Sequence, residues 1–288
     1  MLALTILLDG IAYGMVLFII SVGLTVTMGL MRVVNLAHGS FAMLGGYLAS
    51  VMIRDGGIPY IFSAFLAAIV CGAVGGIAEL TIYRPLYKKG ELSQVLLTFG
   101  LIFVSIAAMT LFFGPAPIPE SMPKWLDGLV DIGFRQYPAY RLFLIAVGAL
   151  LALGLWLLIE RSLFGARLRA AVDDADMARA LGMNVSLMFT LTFIGGCALA
   201  GFGGAIGAGL LPIEPFYALR YLVLFLVVVV IGGLGSFRGS LAAAMAVGII
   251  ETTGKYLVPQ LGSFLLWGIV FGLLLWRPNG LLPARSSS

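Results

Sequence analysis

The sequence predicts an all-α fold: a polytopic bundle of about eight to ten transmembrane helices, broken near residues 31–46. Three observations carry that expectation. Of 288 residues, 61% are hydrophobic and only 10% are charged, with a mean hydropathy of +1.10. Soluble domains carry about 25% charged residues, so too little charge is present to clothe a surface facing water. Apolar stretches of about 18 residues or more recur from one end to the other, each long enough to cross hydrocarbon as a helix. Polar punctuation between them gives spans near 4–30, 39–53, 58–83, 92–113, 141–160, 186–210, 217–233, 240–257 and 262–276. Residues 1–288 form one transmembrane domain, with 161–184 as a loop within it.

The first span, "LTILLDGIAYGMVLFIISVGLTV", is expected to stay in the mature protein, because no basic segment precedes it and the first cation is Arg32. It ends at "MRVVNLAHGSFAMLGG", which holds the only histidine of the chain. Asn35, His38 and Ser40 fall there among Gly29, Gly39, Gly45 and Gly46. Two readings compete. One is a cytoplasmic turn with Arg32 at its mouth. The other is a half-helix starting near Gly39 at membrane depth, where irregular backbone persists only if protein or a water-filled cavity satisfies it. Such a half-helix would point free N–H groups at an anionic group of a permeant.

Sidedness follows from the loops. "YRPLYKKGE" after the third span carries Arg84, Lys88 and Lys89, and "ERSLFGARLRAAVDDADMARALGMN" carries Arg161, Arg167, Arg169 and Arg179. Cationic loops mark the cytoplasmic side, and this accounts for the net charge of +4 and pI near 9.2 without nucleic acid. The intervening "GPAPIPESMPKWLDGLVDIGFRQYPAY" then faces outside, as a non-helical stretch whose Trp125, Tyr137 and Tyr140 suit an interface. Alternation puts the N-terminus outside and the C-terminus, with Arg277 and Arg285, in the cytoplasm.

Within the second basic loop, Leu168, Ala171 or Val172, Ala175, Ala178 and Leu181 recur at helical spacing, with Asp173, Asp174, Asp176 and Arg179 on the remainder. Gly182 is placed to end this short helix, and Asn184 or Ser186 to cap the next span. A solvated loop is the ordinary fate of such charge. The defined stop and small residues instead suit docking of a partner protein whose motion the helix would pass on.

The following span, "FIGGCALAGFGGAIGAG", places small residues at i, i+4 spacing, which lets helix backbones approach closely in lipid. "HGSFAMLGGYLAS" (38–50) and "RGSLAAAMAVGII" (238–250) form a weak internal echo, of the kind transporters often carry.

Each ionisable residue within a span is a functional candidate. Asp9 is expected near the outer end of the first span, reaching the interface, and Glu79 to pair with a loop cation. Glu251 has Lys255 four residues on, the favourable order for an ion pair, and a role in a path is as well supported as a structural one. Cys71 and Cys197 lie in apolar segments and read as packed thiols.

One histidine and two separated cysteines assemble no metal site, and the single Gly-Lys pair, Gly254–Lys255, lacks the other elements of a P-loop. The chain is therefore not expected to be an enzyme, and transport or channel function remains. Isolated acids in an apolar bundle leave a membrane enzyme open but unattractive.

"GLTVTMGLMRVVNLAHGSFAMLGGYLA", "SQVLLTFGL", "RAAVDDADMARALGMNV" with the Gly-rich span after it, "VVVIGGLGSFRGSLAAAMAVGIIE" and "LLLWRPNGLL" resemble the LivH-type permease of bacterial branched-chain amino acid ABC importers. The resemblance runs through nearly the whole chain in the same order. It implies an inner-membrane permease with a second homologous permease of LivM type, two cytoplasmic ATPases that bind the ATP and Mg, and a periplasmic binding protein. This chain would bind no cofactor itself and surrounding lipid would be its other contact. The resemblance favours the intramembrane reading of Asn35 and His38, and with Gly39, Ser40 and Glu251 these are the candidates for the translocation path. It makes Arg169, Ala171, Asp173, Asp174, Arg179, Leu181 and Gly182 the element that couples to the ATPases. Arg169-Ala170-Ala171 departs from the Glu-Ala-Ala of the broader motif, while Gly182 holds its glycine position.

The same family serves urea or amides and small aromatic or dicarboxylic acids, so the resemblance leaves these open beside branched-chain amino acids. A stand-alone secondary transporter or channel and a non-transporting scaffold are the competing classes.

Overall fold

Residues 2–30, 35–87, 89–119, 122–133, 135–260 and 262–277 are described by a computed structural model. Arg32, Lys88 and Arg285, which enter the sidedness argument above, lie outside the described residues. Helix α1 (Leu2–Leu30) has 29 residues and no proline. At about 1.5 Å per residue it is longer than the roughly 30 Å of a hydrocarbon core, so it serves as the post around which other helices stack. The rest are α2 (His38–Arg54), α3 (Tyr60–Ala78), α4 (Glu91–Phe113), α5 (Ala139–Trp156), α6 (Leu163–Asp173), α7 (Ala175–Ala180), α8 (Val185–Ile206), α9 (Tyr217–Gly232), α10 (Phe237–Leu257) and α11 (Gly262–Trp276). The nine expected spans correspond one to one with α1–α5 and α8–α11. Among the described residues, five helical segments, beginning at Leu2, Tyr60, Glu91, Ala139 and Val185, are long and apolar enough to cross a membrane by themselves.

Close packing of α1 with α10 and α8 builds the centre. Both partners run antiparallel to α1: Gly10 and Gly14 face Ile249 and Ala244 near one end, and Thr25 meets Ser240 at 2.5 Å further along. Gly23 faces Gly196, and Gly207 faces Val16. On its other side α8 holds α3 and α2. The small-residue face expected on residues 193–209 makes these contacts. A Cβ added at Gly204 would stand 1.9 Å from the Ala42 carbonyl oxygen, and one at Gly45 would stand 2.1 Å from that of Gly201. Apolar side chains of α4 and α11, such as Phe103, Leu111, Phe264 and Phe271, are exposed, as suits the lipid side of a bundle.

The stretch expected to lack helix contains a two-stranded antiparallel hairpin, β1 (Leu129–Asp131) with β2 (Gln136–Pro138), in which Val130 pairs with Tyr137. Ile118 N donates to the Ile213 carbonyl at 3.0 Å, and Tyr137 reaches Asp9. Ile118 and the β1–β2 hairpin strands therefore lie at the end of the bundle where α1 begins. The 162–184 segment and the turn from Arg84 lie at the opposite end, where Glu160 pairs with Arg238 and Arg84 with Thr190 at the base of α8.

Two spans end differently from the plain helices expected. Residues Glu79–Tyr83 form a π-helical turn followed by a 3-10 turn at Arg84–Leu86, and Leu157–Arg161 form a second π turn. Cys71 and Cys197 are buried free thiols.

Candidate functional site

The start of α2 lies against the middle of α1. His38, the first residue of α2, donates from Nε2 to the carbonyl of Ile20 at 2.9 Å. Ile20 lies about ten positions before the end of α1, roughly 15 Å along the axis by helical rise. Because a carbonyl only accepts, Nε2 carries the proton and Nδ1 is left as an acceptor. A tight turn precedes α2, with Ser40 N bonded to the Ala37 carbonyl at 2.9 Å. Asn35, Leu36, Ala37 and His38 are all buried, and Asn35 has no exposed surface. Of the two readings of this stretch, the described part, from Asn35 onward, matches a half-helix enclosed by protein.

Polar bookkeeping at the break does not close. Asn35 Oδ1 accepts from the Tyr83 hydroxyl at 2.8 Å, but Asn35 Nδ2 and His38 Nδ1 have no partner among the described residues. Ser21 Oγ, Tyr47 Oη, Tyr217 Oη and Glu251 Oε2 share that condition. Leaving a buried polar atom without a partner costs about 1–3 kcal/mol, so a group of them within an apolar bundle calls for an explanation. Gly39 lets α2 sit against α9, its missing Cβ 3.3 Å from the Ala218 Cα. Ser40 differs from its neighbours in facing outward to α4, where it bonds Ser105 at 2.8 Å. Glu251, near the end of α10, pairs through Oε1 with Lys255 at 3.0 Å, and the Lys255 ammonium lies 5.2 Å over the Tyr13 ring. Glu251 is thus near the end of the bundle where α1 begins, away from Asn35 and His38.

Asp9 corrects the expectation that it reaches the interface. It is 5% exposed, held by Arg141 of α5 and by the hydroxyls of Tyr137 and Tyr256 at 2.6 and 2.7 Å. Burial and the adjacent carboxylate push the Tyr137 phenol up, so it remains a donor at neutral pH. Glu79 pairs with Arg84 at 3.2 Å as expected, and Tyr87 and Thr190 also donate to it, both at 2.9 Å.

The single helix expected across 168–181 is two helices. Asp174 is extended, and its carboxylate caps α7 by accepting from Asp176 N and Met177 N at 3.0 and 2.8 Å. Its charge is therefore tied to a helix start. Gly182 does end the second helix, at φ +81°. Met183 N bonds to the Ala178 carbonyl and Gly182 N to that of Arg179, the paired closure that favours glycine at this position. Asn184 caps α8 through Leu187 N at 3.0 Å.

The apolar stripe of this loop is already occupied. Leu168, Ala171 and Ala178 pack on Val185 and Met188 at the base of α8, so Ala171 presents no surface to a partner. Leu181 leaves that stripe and is 73% exposed. Met177 and Leu163 are exposed with it, beside Asp173 and an Arg179–Asp176 pair. Arg169 turns back onto the Ile159 carbonyl.

Sequence reasoning missed Tyr83, Tyr47, Tyr217, Thr190 and Arg141. Tyrosines in apolar runs resemble interface anchors, and nothing in their spacing reveals that the Tyr83 hydroxyl meets Asn35 or that those of Tyr47 and Tyr217 are left without a partner among the described residues. Arg141 stood at a span boundary, where a cation is ordinary.

Among relatives, the chain is 29% identical to the high-affinity branched-chain amino acid transport system permease protein BraD of Pseudomonas aeruginosa, over 96% of this chain and 94% of that one. It is 26% identical to the corresponding LivH of Escherichia coli K12, over 95% and 93%. A similar 26% relates it to the permease protein LivM of the same organism, over 93% of this chain and 68% of that one. No solved structure matches the chain. The family model described as the permease component of branched-chain amino acid transport systems matches residues 6–276, and the chain belongs to that family.

Proposed function

We propose that this chain is the membrane subunit of an ATP-binding-cassette importer for branched-chain amino acids. It carries the path and leaves ATP hydrolysis to separate subunits. Its partners are a second homologous permease, two cytoplasmic ATPases that hold ATP and Mg, and a periplasmic substrate-binding protein. The N-terminus faces outside, and the end bearing 162–184 faces the cytoplasm. The observation that carries the reading is the buried turn at Asn35–His38. There a helix begins inside the bundle, with one donor and one acceptor left open. The permease relatives are named for branched-chain amino acids, which supports that substrate class over urea, amides or organic acids.

The exposed Met177 and Leu181, on a loop seated on α8, supply the surface for an ATPase. Against a proton-driven transporter stands the pairing of the membrane carboxylates: Asp9 with Arg141, Glu79 with Arg84, Glu251 with Lys255. A relay needs carboxylates free to take up and release protons.

The test is uptake of labelled leucine into vesicles holding the assembled complex and its binding protein, with urea and benzoate as competitors. ATP-dependent uptake that leucine analogues block is expected. Uptake by the purified chain alone, driven by a gradient without ATP, would refute the proposal. Charge reversal at Asp173 and Arg179 is expected to release the ATPases while leaving the chain inserted.

A further inference from the structure

We infer that Tyr83 is a positioning residue, the joint through which the 162–184 loop sets the geometry of Asn35; this rests on the transport reading above. The connection is a series of side-chain contacts joined by two short stretches of helix. Leu168 and Ala178 of the loop pack on Met188 in the first turns of α8. Two residues further, Thr190 donates to Glu79 Oε2 at 2.9 Å, and Arg84 bridges the same pair. Glu79 opens the π-helical turn that Tyr83 closes. The Tyr83 hydroxyl then donates to Asn35 Oδ1 at 2.8 Å.

Each step has a physical reason to carry displacement. Glu79 has no exposed surface, so moving α8 without moving Glu79 would strip partners from a buried carboxylate, a costly event. A π turn is a rare departure from the α-helical ladder that occurs frequently at functional sites. The Tyr83 ring is clamped against Phe193 of α8 at 4.9 Å between centroids. A shift of α8 therefore reaches the ring and the π turn together. The phenol is the only hydrogen-bond partner of the Asn35 side chain among the described residues, and it leaves Nδ2 open. What arrives at Asn35 is thus a change in the orientation of one amide.

A purely structural role predicts something different: loss of the hydroxyl would lower stability, and with it uptake and ATPase activity in proportion. The experiment separates the two. Tyr83→Phe keeps the ring on Phe193 and removes one hydrogen bond. In the assembled complex with its binding protein, leucine uptake and ATP hydrolysis are measured on the same vesicles. The expected result is ATP hydrolysis near the wild-type rate with leucine moved per ATP down by about two- to tenfold, the factor one buried hydrogen bond can supply. Asn35→Ala should lower that ratio similarly, and the double variant should lower it no further. If Tyr83→Phe does not assemble, Thr190→Val breaks the series one step earlier and should give the same uncoupling. An unchanged ratio in Tyr83→Phe, a proportional fall of both activities, or additive effects in the double variant overturns the inference. Absence of ATP-driven uptake in the wild-type complex overturns the transport reading itself and this inference with it.

Discussion

Gly204→Ala and Gly195→Ala, nine positions apart on α8, should move stability in opposite directions. At Gly204 the added Cβ would stand 1.9 Å from the Ala42 carbonyl oxygen and 2.6 Å from its carbon, whereas ordinary contact begins near 3.4 Å. About 1.5 Å of separation is missing, and the obstacle is backbone, so no rotamer change relieves it. Overpacking of this kind costs about 1–3 kcal/mol, occasionally more. The helical preference of alanine over glycine offsets up to about 1 kcal/mol. With the full offset the net expectation is a loss of up to about 2 kcal/mol. At Gly195 an added Cβ meets nothing within 4 Å, so only the helical preference remains and the variant should gain up to about 1 kcal/mol. Thermal unfolding of the purified protein in detergent reads both. The contact also seats α2, so leucine uptake should fall with Gly204→Ala even when the protein is folded, and stay unchanged with Gly195→Ala. Unfolding of Gly204→Ala at or above the wild-type temperature would refute this account of the α2–α8 packing.

Arg141→Ala strips the cation from a carboxylate that is 5% exposed and should cost about 3–5 kcal/mol. Adding Asp9→Asn should recover much of that loss in the same unfolding assay. Asp174→Ala removes the cap of α7 and should cost about 1 kcal/mol, read as faster proteolysis within 163–184. Gly182→Ala places an alanine at φ +81° and should cost about 1–2 kcal/mol locally, with weaker co-purification of the ATPases. Leu181→Asp, on a residue 73% exposed, should leave unfolding unchanged and abolish that co-purification.

Hydropathy located the nine long helices because lipid enforces one rule on every segment: backbone polar groups must be satisfied within the helix. That rule acts locally, so it is visible in sequence. Partners between helices are not local. Nothing near Asp9 in sequence discloses Arg141, Tyr137 or Tyr256, which come from 128 and more positions away. Periodicity gave the apolar stripe of the 162–184 loop but not its destination, since Leu168 and Ala178 read the same whether they face α8 or another protein. Asp174 breaks that helix because a carboxylate that caps its own chain offers the backbone an alternative to continuing. The asparagine and histidine of the break were conspicuous by type, while their depth depended on which carbonyl His38 meets.

The polar groups of this bundle divide by position, and the division bears on how such a chain could change shape. Toward the end where α1 begins, Asp9 gathers α1, α5, α10 and the β hairpin through Arg141, Tyr256 and Tyr137. At the opposite end Glu79 gathers α3 and α8, and Glu160 ties the end of α5 to α10. Separating the buried Asp9 or Glu79 from its partners leaves a charge uncompensated, so each of these two clusters holds together when the helices move. Between them, Ser21 Oγ, Asn35 Nδ2 and His38 Nδ1 have no partner to lose. A displacement of the turn at 35–38 therefore breaks the His38–Ile20 and Tyr83–Asn35 bonds, each worth about 0.5–1.5 kcal/mol net, and loosens the packing of Leu36 and Ala37 on Ile102, Ile106, Ala218 and Leu222. Admission of a polar permeant or water to the same place would recover about 1–3 kcal/mol for each open atom it satisfies. In polar terms the balance favours reorganising the break over separating the charged clusters, and it favours it more when something polar is present to be moved.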